Sequence, residues 1–200
     1  YSTLVEGNFD AFDLLKEKNI LIIGSGDSVK KHKNDIEVFI KKFQPVVFQL
    51  NKGGVIDEGL INYNLYSHPQ TIKYENRSIN NSDSVIIIPP NSLDFELTNK
   101  NVKFFGLKVE IDQFAINNTS CVAPNSLVLS YALAIAGASS ESTIYFAGID
   151  GYKQNVNKNK EITKTIELFN ENFKDKDIVS VTPSTFSIKQ VSPHKLIRDI

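Results

Sequence analysis

A chain of 200 residues with 41% apolar and 22% charged residues has the composition of an ordinary globule with a substantial core. Its 22 Lys and Arg against 23 Asp and Glu leave a formal net charge of −1, which excludes the uniformly basic surface of a nucleic-acid binder. No apolar run approaches the roughly 18 residues of a membrane span, and the lone Cys121 excludes an intrachain disulfide framework or a multi-cysteine metal site.

A cytoplasmic protein is therefore expected. The chain opens at Tyr1 and contains no Met, so a domain cut from a longer protein is expected too. Residues 1–17 read as a linker with a short lead-in helix, 18–192 as the main domain and 193–200 as a tail.

Apolar residues at 9, 11, 12, 14 and 15 predict a short amphipathic helix over Phe9 to Leu15. The continuous run Ile20-Leu21-Ile22-Ile23, bounded by glycine, predicts a strand covered on both faces. Val29, Ile36, Phe39, Ile40 and Phe43 then recur at helical spacing, with Asp27 or Ser28 as the expected N-cap. Pro45 stops that helix, and Val46 to Leu50 forms a second strand ending at Asn51, which completes a βαβ unit. Further strands are expected over Leu60 to Tyr66, Val85 to Ile88 and Val102 to Val109, with a short helix over Ser67 to Asn76 and a helical turn over Leu93 to Leu97. Asn125 to Ala138 is so apolar that it must be buried against the sheet. Thr143 to Ala147 and Ile178 to Val181 read as the last core strands, separated by a polar, mobile loop over Lys153 to Lys160 and an amphipathic helix over Ile162 to Phe173. Strands alternating with helices imply an α/β, Rossmann-like domain whose mainly parallel sheet carries helices on both faces.

In such a sheet ligands bind beyond the carboxyl ends of the strands. Small and polar residues gather at those ends. The loop Gly24-Ser25-Gly26-Asp27-Ser28 offers close backbone approach, and the helix after it offers free N–H groups to an anion. It lacks the third glycine of the dinucleotide fingerprint, and Asn51 stands where an acidic residue would grip a ribose. Asn51 fits a nucleotide, or else closes a turn before Gly53-Gly54. Asn125 and Ser126 open the alanine-rich helix, as a second anion-facing terminus or as a plain cap. Asp150, before Gly151 and Tyr152, is the most enzyme-like position and the candidate catalytic residue, although it could equally cap a turn. Thr182 and Ser184 complete the strand-end set. His32, His68 and His194 have no metal-site spacing, and Cys121 reads as a buried small residue.

Three stretches together carry a resemblance. They are Ile20 to Ser28 (ILIIGSGDS), Ala132 to Ala136 with Ile144 to Tyr152 (IYFAGIDGY), and Val181 to Phe186 (VTPSTF). Their order resembles the domain C-terminal to the pyruvate-type aldolase barrel in bacterial 4-hydroxy-2-oxovalerate aldolase-like proteins, which accompany surface-polysaccharide genes. The set is more distantly similar to Rossmann-like bacterial sialyltransferases and to 6-hydroxymethylpterin pyrophosphokinase-like proteins. The resemblance implies a partner barrel upstream and a nucleotide or nucleotide-sugar ligand of the CMP or UDP type. By it, Gly24, Ser25, Gly26 and Ser28 would meet phosphate and Asn51 the nucleoside. Asp27 stands where the transferase pattern has proline, and no histidine follows Tyr152 until His194, so transfer chemistry is not carried over residue by residue. The metal ligands and catalytic residues of the aldolase barrel are not in this chain. Three functions follow as expectations: a nucleotide-binding accessory domain, a glycosyl- or phosphoryl-transferase domain using Asp150, and a non-catalytic assembly domain.

Overall fold

The structure, a computed structural model, describes residues 1–92, 97–141 and 143–198. The helical turn expected over Leu93 to Leu97 falls largely on residues outside that set. Among the described residues, eight strands form one sheet in which every neighbouring pair is parallel. They are β1 (Ile20–Ile23), β2 (Val46–Leu50), β3 (Tyr63–Leu65), β4 (Val85–Ile88), β5 (Val102–Phe104), β9 (Thr143–Ala147), β10 (Asp177–Ser180) and β11 (Lys189–Gln190). A smaller sheet of β6 (Gly106–Val109), β7 (Ala115–Ile116) and β8 (Ser120–Ala123) stands apart. The large sheet runs β11-β10-β9-β1-β2-β3-β4-β5, so the chain leaves β1 in one direction through β2 to β5 and returns to build β9 to β11 on its other side. That reversal, between β1 and β9, is the topological switch point of a Rossmann-like α/β fold.

Helices α2 (Asp27–Lys31) and α3 (Lys33–Phe43) cover one face, where Val29, Ile36, Phe39 and Ile40 pack on Leu21, Ile23, Val47 and Tyr145. Two short helices, α4 (Pro69–Tyr74) and α5 (Asn76–Asn80), cover the β3–β4 part of that face through Ile72 and Ile79. On the opposite face lie α1 (Ala11–Leu15), α6 (Val128–Ala136) and α7 (Val156–Asn172). The last helix, α8 (Pro193–Arg198), takes up the segment expected to be a tail and packs Leu196 and Ile197 against the α3 side. Every residue of α6 from Leu129 to Ala136 is buried, because this helix touches β2 of the large sheet, β8 of the small one, and α1 and α7. Its apolar circumference is explained by that enclosure. Tyr131, fully buried there, keeps its hydroxyl satisfied by donating to the Phe105 carbonyl at 2.6 Å.

Several expected element bounds are corrected. The strand expected from Val102 to Val109 breaks at Phe105 into β5 and β6, which belong to different sheets. Gly106 makes the break possible: a Cβ there would lie 2.0 Å from the Val5 carbonyl oxygen, so only glycine lets the N-terminal segment pass. That segment, residues 1–9, is laid along the domain, with Val109 donating to the Tyr1 carbonyl and Gly7 to the Thr119 carbonyl, both at 3.0 Å. The strand expected over Leu60 to Tyr66 is a 3₁₀ turn at Glu58–Leu60 followed by the three-residue β3. The loop expected over Lys153 to Lys160 is half helix, since Asn155 caps α7 by accepting from the Lys158 N–H at 3.0 Å. The alanine-rich helix is shorter than expected, Val128–Ala136, with Asn125 and Ser126 in the turn before it. Among the described residues, no helix is long and apolar enough to cross a membrane.

Candidate functional site

The switch point gathers three sequence-distant loops. Gly24 donates to the Ala147 carbonyl at 2.8 Å and Gly26 to the Gly148 carbonyl at 2.9 Å, which zips the glycine loop to the end of β9. Asp150 then reaches across to the start of α2, its Oδ2 accepting from the Ser28 N–H at 2.8 Å and its Oδ1 from the Ser28 hydroxyl. The Ser28 and Thr182 hydroxyls lie 3.0 Å apart, and Thr182 Oγ1 accepts from the Gly148 N–H at 2.9 Å. Ser184 donates to the Ile149 carbonyl at 2.7 Å, and the Thr185 N–H and hydroxyl both donate to the Asp150 carbonyl.

This geometry changes the meaning of the glycine loop. The expected cap, Asp27 or Ser28, is not the cap: Gly26 takes the N-cap position without a side-chain bond, and Asp27 points outward in the first turn. Asp150 supplies the missing acceptor, so the anion at the start of α2 is a carboxylate of the chain itself. A Cβ on Gly26 would sit 2.4 Å from the Asp150 carboxyl carbon, which is why that position is glycine. Ser25 and Asp27 are the loop's polar residues that are exposed and without a side-chain bond among the described residues. Tyr152, also exposed, exchanges backbone bonds with the Asn159 side chain at 2.7 and 2.8 Å and lies under the Lys158 ammonium, 4.7 Å from its ring centre.

Two of the sequence-nominated residues lie elsewhere. Asn125 is fully engaged, its Oδ1 accepting from the Leu127 N–H at 3.1 Å and the Ser130 hydroxyl at 2.5 Å, and its Nδ2 donating to Thr165 at 2.9 Å. Ser126 accepts at its carbonyl from the Ser67 hydroxyl at 2.8 Å. Both shape the turn into α6. Asn51 ends β2 with a left-handed φ of 55° and an N–H donated to the Leu65 carbonyl at 2.9 Å, which turns the chain toward Gly53 and Gly54.

Those two glycines lead to a feature that strand-end reasoning missed. An open cleft of about 570 Å³ lies on the α3–α5 face, between the 52–61 loop and α4–α5. Its floor is Gln49, Asn64 and Ile86, which stand in register across β2, β3 and β4. Lys52, Arg77, Glu58 and Glu75 stand on its walls, with the hydroxyls of Ser78, Ser82 and Ser84. Gln49 is only 4% exposed, and its Nε2 donates to the carbonyls of Ile23 at 3.1 Å and Leu50 at 3.3 Å. Tyr66 is 3% exposed and lines the same cleft. Burial first, then the nearby Glu75 carboxylate, holds its phenol well above the ordinary tyrosine range, so it stays neutral. Among the described residues, neither Gln49 Oε1 nor the Tyr66 hydroxyl has a hydrogen-bond partner, and neither is sealed from the cleft. Lys52 and Arg77 likewise have no ion-pair partner among the described residues.

The signal for this site was present in the sequence. Glutamine inside Val46-Val47-Phe48-Gln49-Leu50 interrupts a strand that should be apolar on both faces, and such an interruption marks a polar task. Cys121 lies buried in β8, where loss of hydration pushes its thiol up and makes it inert. No three potential ligands among the described His, Cys, Asp and Glu converge on a metal position. No protein-family model, curated protein or solved structure matches this chain, so fold and geometry carry the functional reading.

Proposed function

We propose that this chain is a binding domain for a nucleotide or nucleotide-sugar of the CMP or UDP type, and that the cleft over β2–β4 is where the ligand sits. The observation that carries this reading is a cleft of about 570 Å³ lined by two residues only 4% and 3% exposed, Gln49 and Tyr66, whose Oε1 and hydroxyl have no protein partner among the described residues. Buried polar groups are normally satisfied, and a ligand that completes them repays their desolvation. Amides and hydroxyls beside a tyrosine suit a base or sugar ring, while Lys52 and Arg77 suit phosphate. The engagement of Asp150 with Ser28 supports placing the phosphate away from the glycine loop, since a second anion at that position would face the carboxylate. In the setting that the sequence resemblance implies, such a domain follows an aldolase-like barrel and serves bacterial surface-glycan synthesis. Isothermal calorimetry with CMP, UMP, CDP, UDP and their sugar conjugates tests this directly. Saturable binding to at least one is expected, and a folded protein that responds to none of them sinks the proposal.

A further inference from the structure

We infer that Gln49 is the residue that selects the ligand, because it presents a fixed hydrogen-bond acceptor, and only an acceptor, to the cleft floor. This rests on the cleft being the binding site, and it adds which chemical group of the ligand must lie over β2. The orientation of the amide follows from its neighbours. Ile23 O and Leu50 O, which hold one end of the amide, are backbone carbonyls that can only accept. The NH₂ end must therefore face them, and the amide cannot be turned over without setting its oxygen against two others. Oε1 is left as the end without a partner among the described residues. Gly53 covers this amide so closely that a Cβ would fall 2.4 Å from Gln49 Cδ and 2.5 Å from Oε1. The backbone at 53 thus limits how far the side chain can swing, which makes the acceptor preorganised.

An acceptor held in this way rewards a ligand donor and opposes a ligand acceptor, because two lone-pair atoms brought together after desolvation both lose hydrogen bonds to water. The group over Gln49 is accordingly an N–H or O–H donor. Two sources share this chemistry: the exocyclic amino group of a cytosine-type base, or a hydroxyl of the sugar. A uracil ring placed with its 4-oxo group at the same point is opposed.

The test titrates the whole chain with CMP, with UMP, and with the neutral monosaccharides glucose, galactose and N-acetylglucosamine, for wild type, Gln49→Met and Gly53→Ala. Methionine keeps the length and volume of glutamine without its polar amide, and the Gly53→Ala methyl displaces the amide while removing no polar atom from the protein. Loss of affinity of about ten-fold is expected for Gln49→Met, with a loss in the same direction for Gly53→Ala. If the amino group is the source, CMP binds wild type about ten-fold tighter than UMP and the difference disappears in Gln49→Met. If a hydroxyl is the source, CMP and UMP bind alike and a monosaccharide competes with them. Monosaccharide binding without nucleotide binding ends the nucleotide proposal but keeps this inference, provided Gln49→Met weakens it. The inference is overturned if both variants bind as wild type does within two-fold, or if none of the probes binds wild type. Should Gln49→Met not fold, Gly53→Ala together with the CMP–UMP comparison decides between the same outcomes.

Discussion

The switch point at the carboxyl ends of β1 and β9 and the cleft on the face over β2–β4 are both built from polar residues of one parallel sheet, yet they end in opposite states. At the switch point the Asp150 carboxylate, the Ser28 hydroxyl and N–H, and the Thr182 hydroxyl satisfy one another, and the cluster closes three loops into one body. In the cleft, Gln49 spends its donors on the strand backbone, and among the described residues neither its acceptor nor the Tyr66 hydroxyl has a partner. Saturated polar clusters stabilise, whereas polar groups without a protein partner beside an open cleft remain available to a ligand or to water. The difference teaches that glycine-rich strand ends mark close backbone approach, and that what approaches can be the protein itself.

This contrast can be broken most forcefully at Asp150. Asp150→Ala removes the acceptor of the Ser28 N–H and hydroxyl, and a loss of about 2–3 kcal/mol is expected, with a fall in melting temperature on the order of 5–10 °C. Affinity for a cleft ligand should stay within two-fold of wild type in the folded protein. A stable Asp150→Ala variant that had lost ligand binding or turnover would instead place Asp150 in the working site.

High pH gives the next largest effect. Tyr66 and Tyr131 are held above the ordinary tyrosine value of 10.0, and Cys121 above the ordinary thiol value of 9.0, in each case chiefly by burial. All three are therefore protonated in the fold while the unfolded chain ionises. The stability they contribute is complete below pH 9 and is lost as pH rises, at about 1.4 kcal/mol per pH unit for each group that has ionised only in the unfolded state. Urea midpoints should start to fall near pH 9, and Cys121→Ala should delay that onset by about one pH unit. An onset unmoved by Cys121→Ala would show that the thiol is accessible.

A smaller effect sharpens the other half of the contrast. Arg77→Gln should weaken CMP by about three- to ten-fold while leaving cytidine unchanged, if the proposed ligand sets its phosphate against this exposed guanidinium on the cleft wall. Equal losses for both ligands would move Arg77 to the base or sugar end. The smallest effect is expected at Asn51. Asn51→Gly keeps the left-handed turn, so stability should change by less than about 0.5 kcal/mol and affinity hardly at all. A large loss of affinity there would restore Asn51 as a nucleoside contact, as the resemblance implies.

Much of the fold was legible from local pattern. The four-residue run at Ile20–Ile23, the helical period from Val29 to Phe43 and the alanine-rich helix are each dictated by side chains within a few residues of one another. The errors fell where a distant segment intervened. Phe105 and Gly106 look like the middle of a strand until the N-terminal segment is laid against them. Asn155 is an ordinary N-cap signal, but the lysine-rich residues around it read as loop. Of the expected strand-end residues, Ser28, Asp150 and Thr182 do meet while Asn125 and Ser126 lie elsewhere, and the pairing of Asp150 with Ser28 spans 122 positions and leaves no local trace.

The sequence by itself therefore determined that this is an α/β chain with a glycine loop after its first strand and small polar residues at the strand ends, because apolar period and turn chemistry act over a few residues. Tertiary structure alone decided which polar groups are used up and which remain free. The glycine loop receives Asp150, and Gln49 meets Ile23, only when strands β1, β2 and β9 are set side by side. Hydrogen-bond satisfaction is a property of the finished neighbourhood, and most of each neighbourhood comes from elsewhere in the chain.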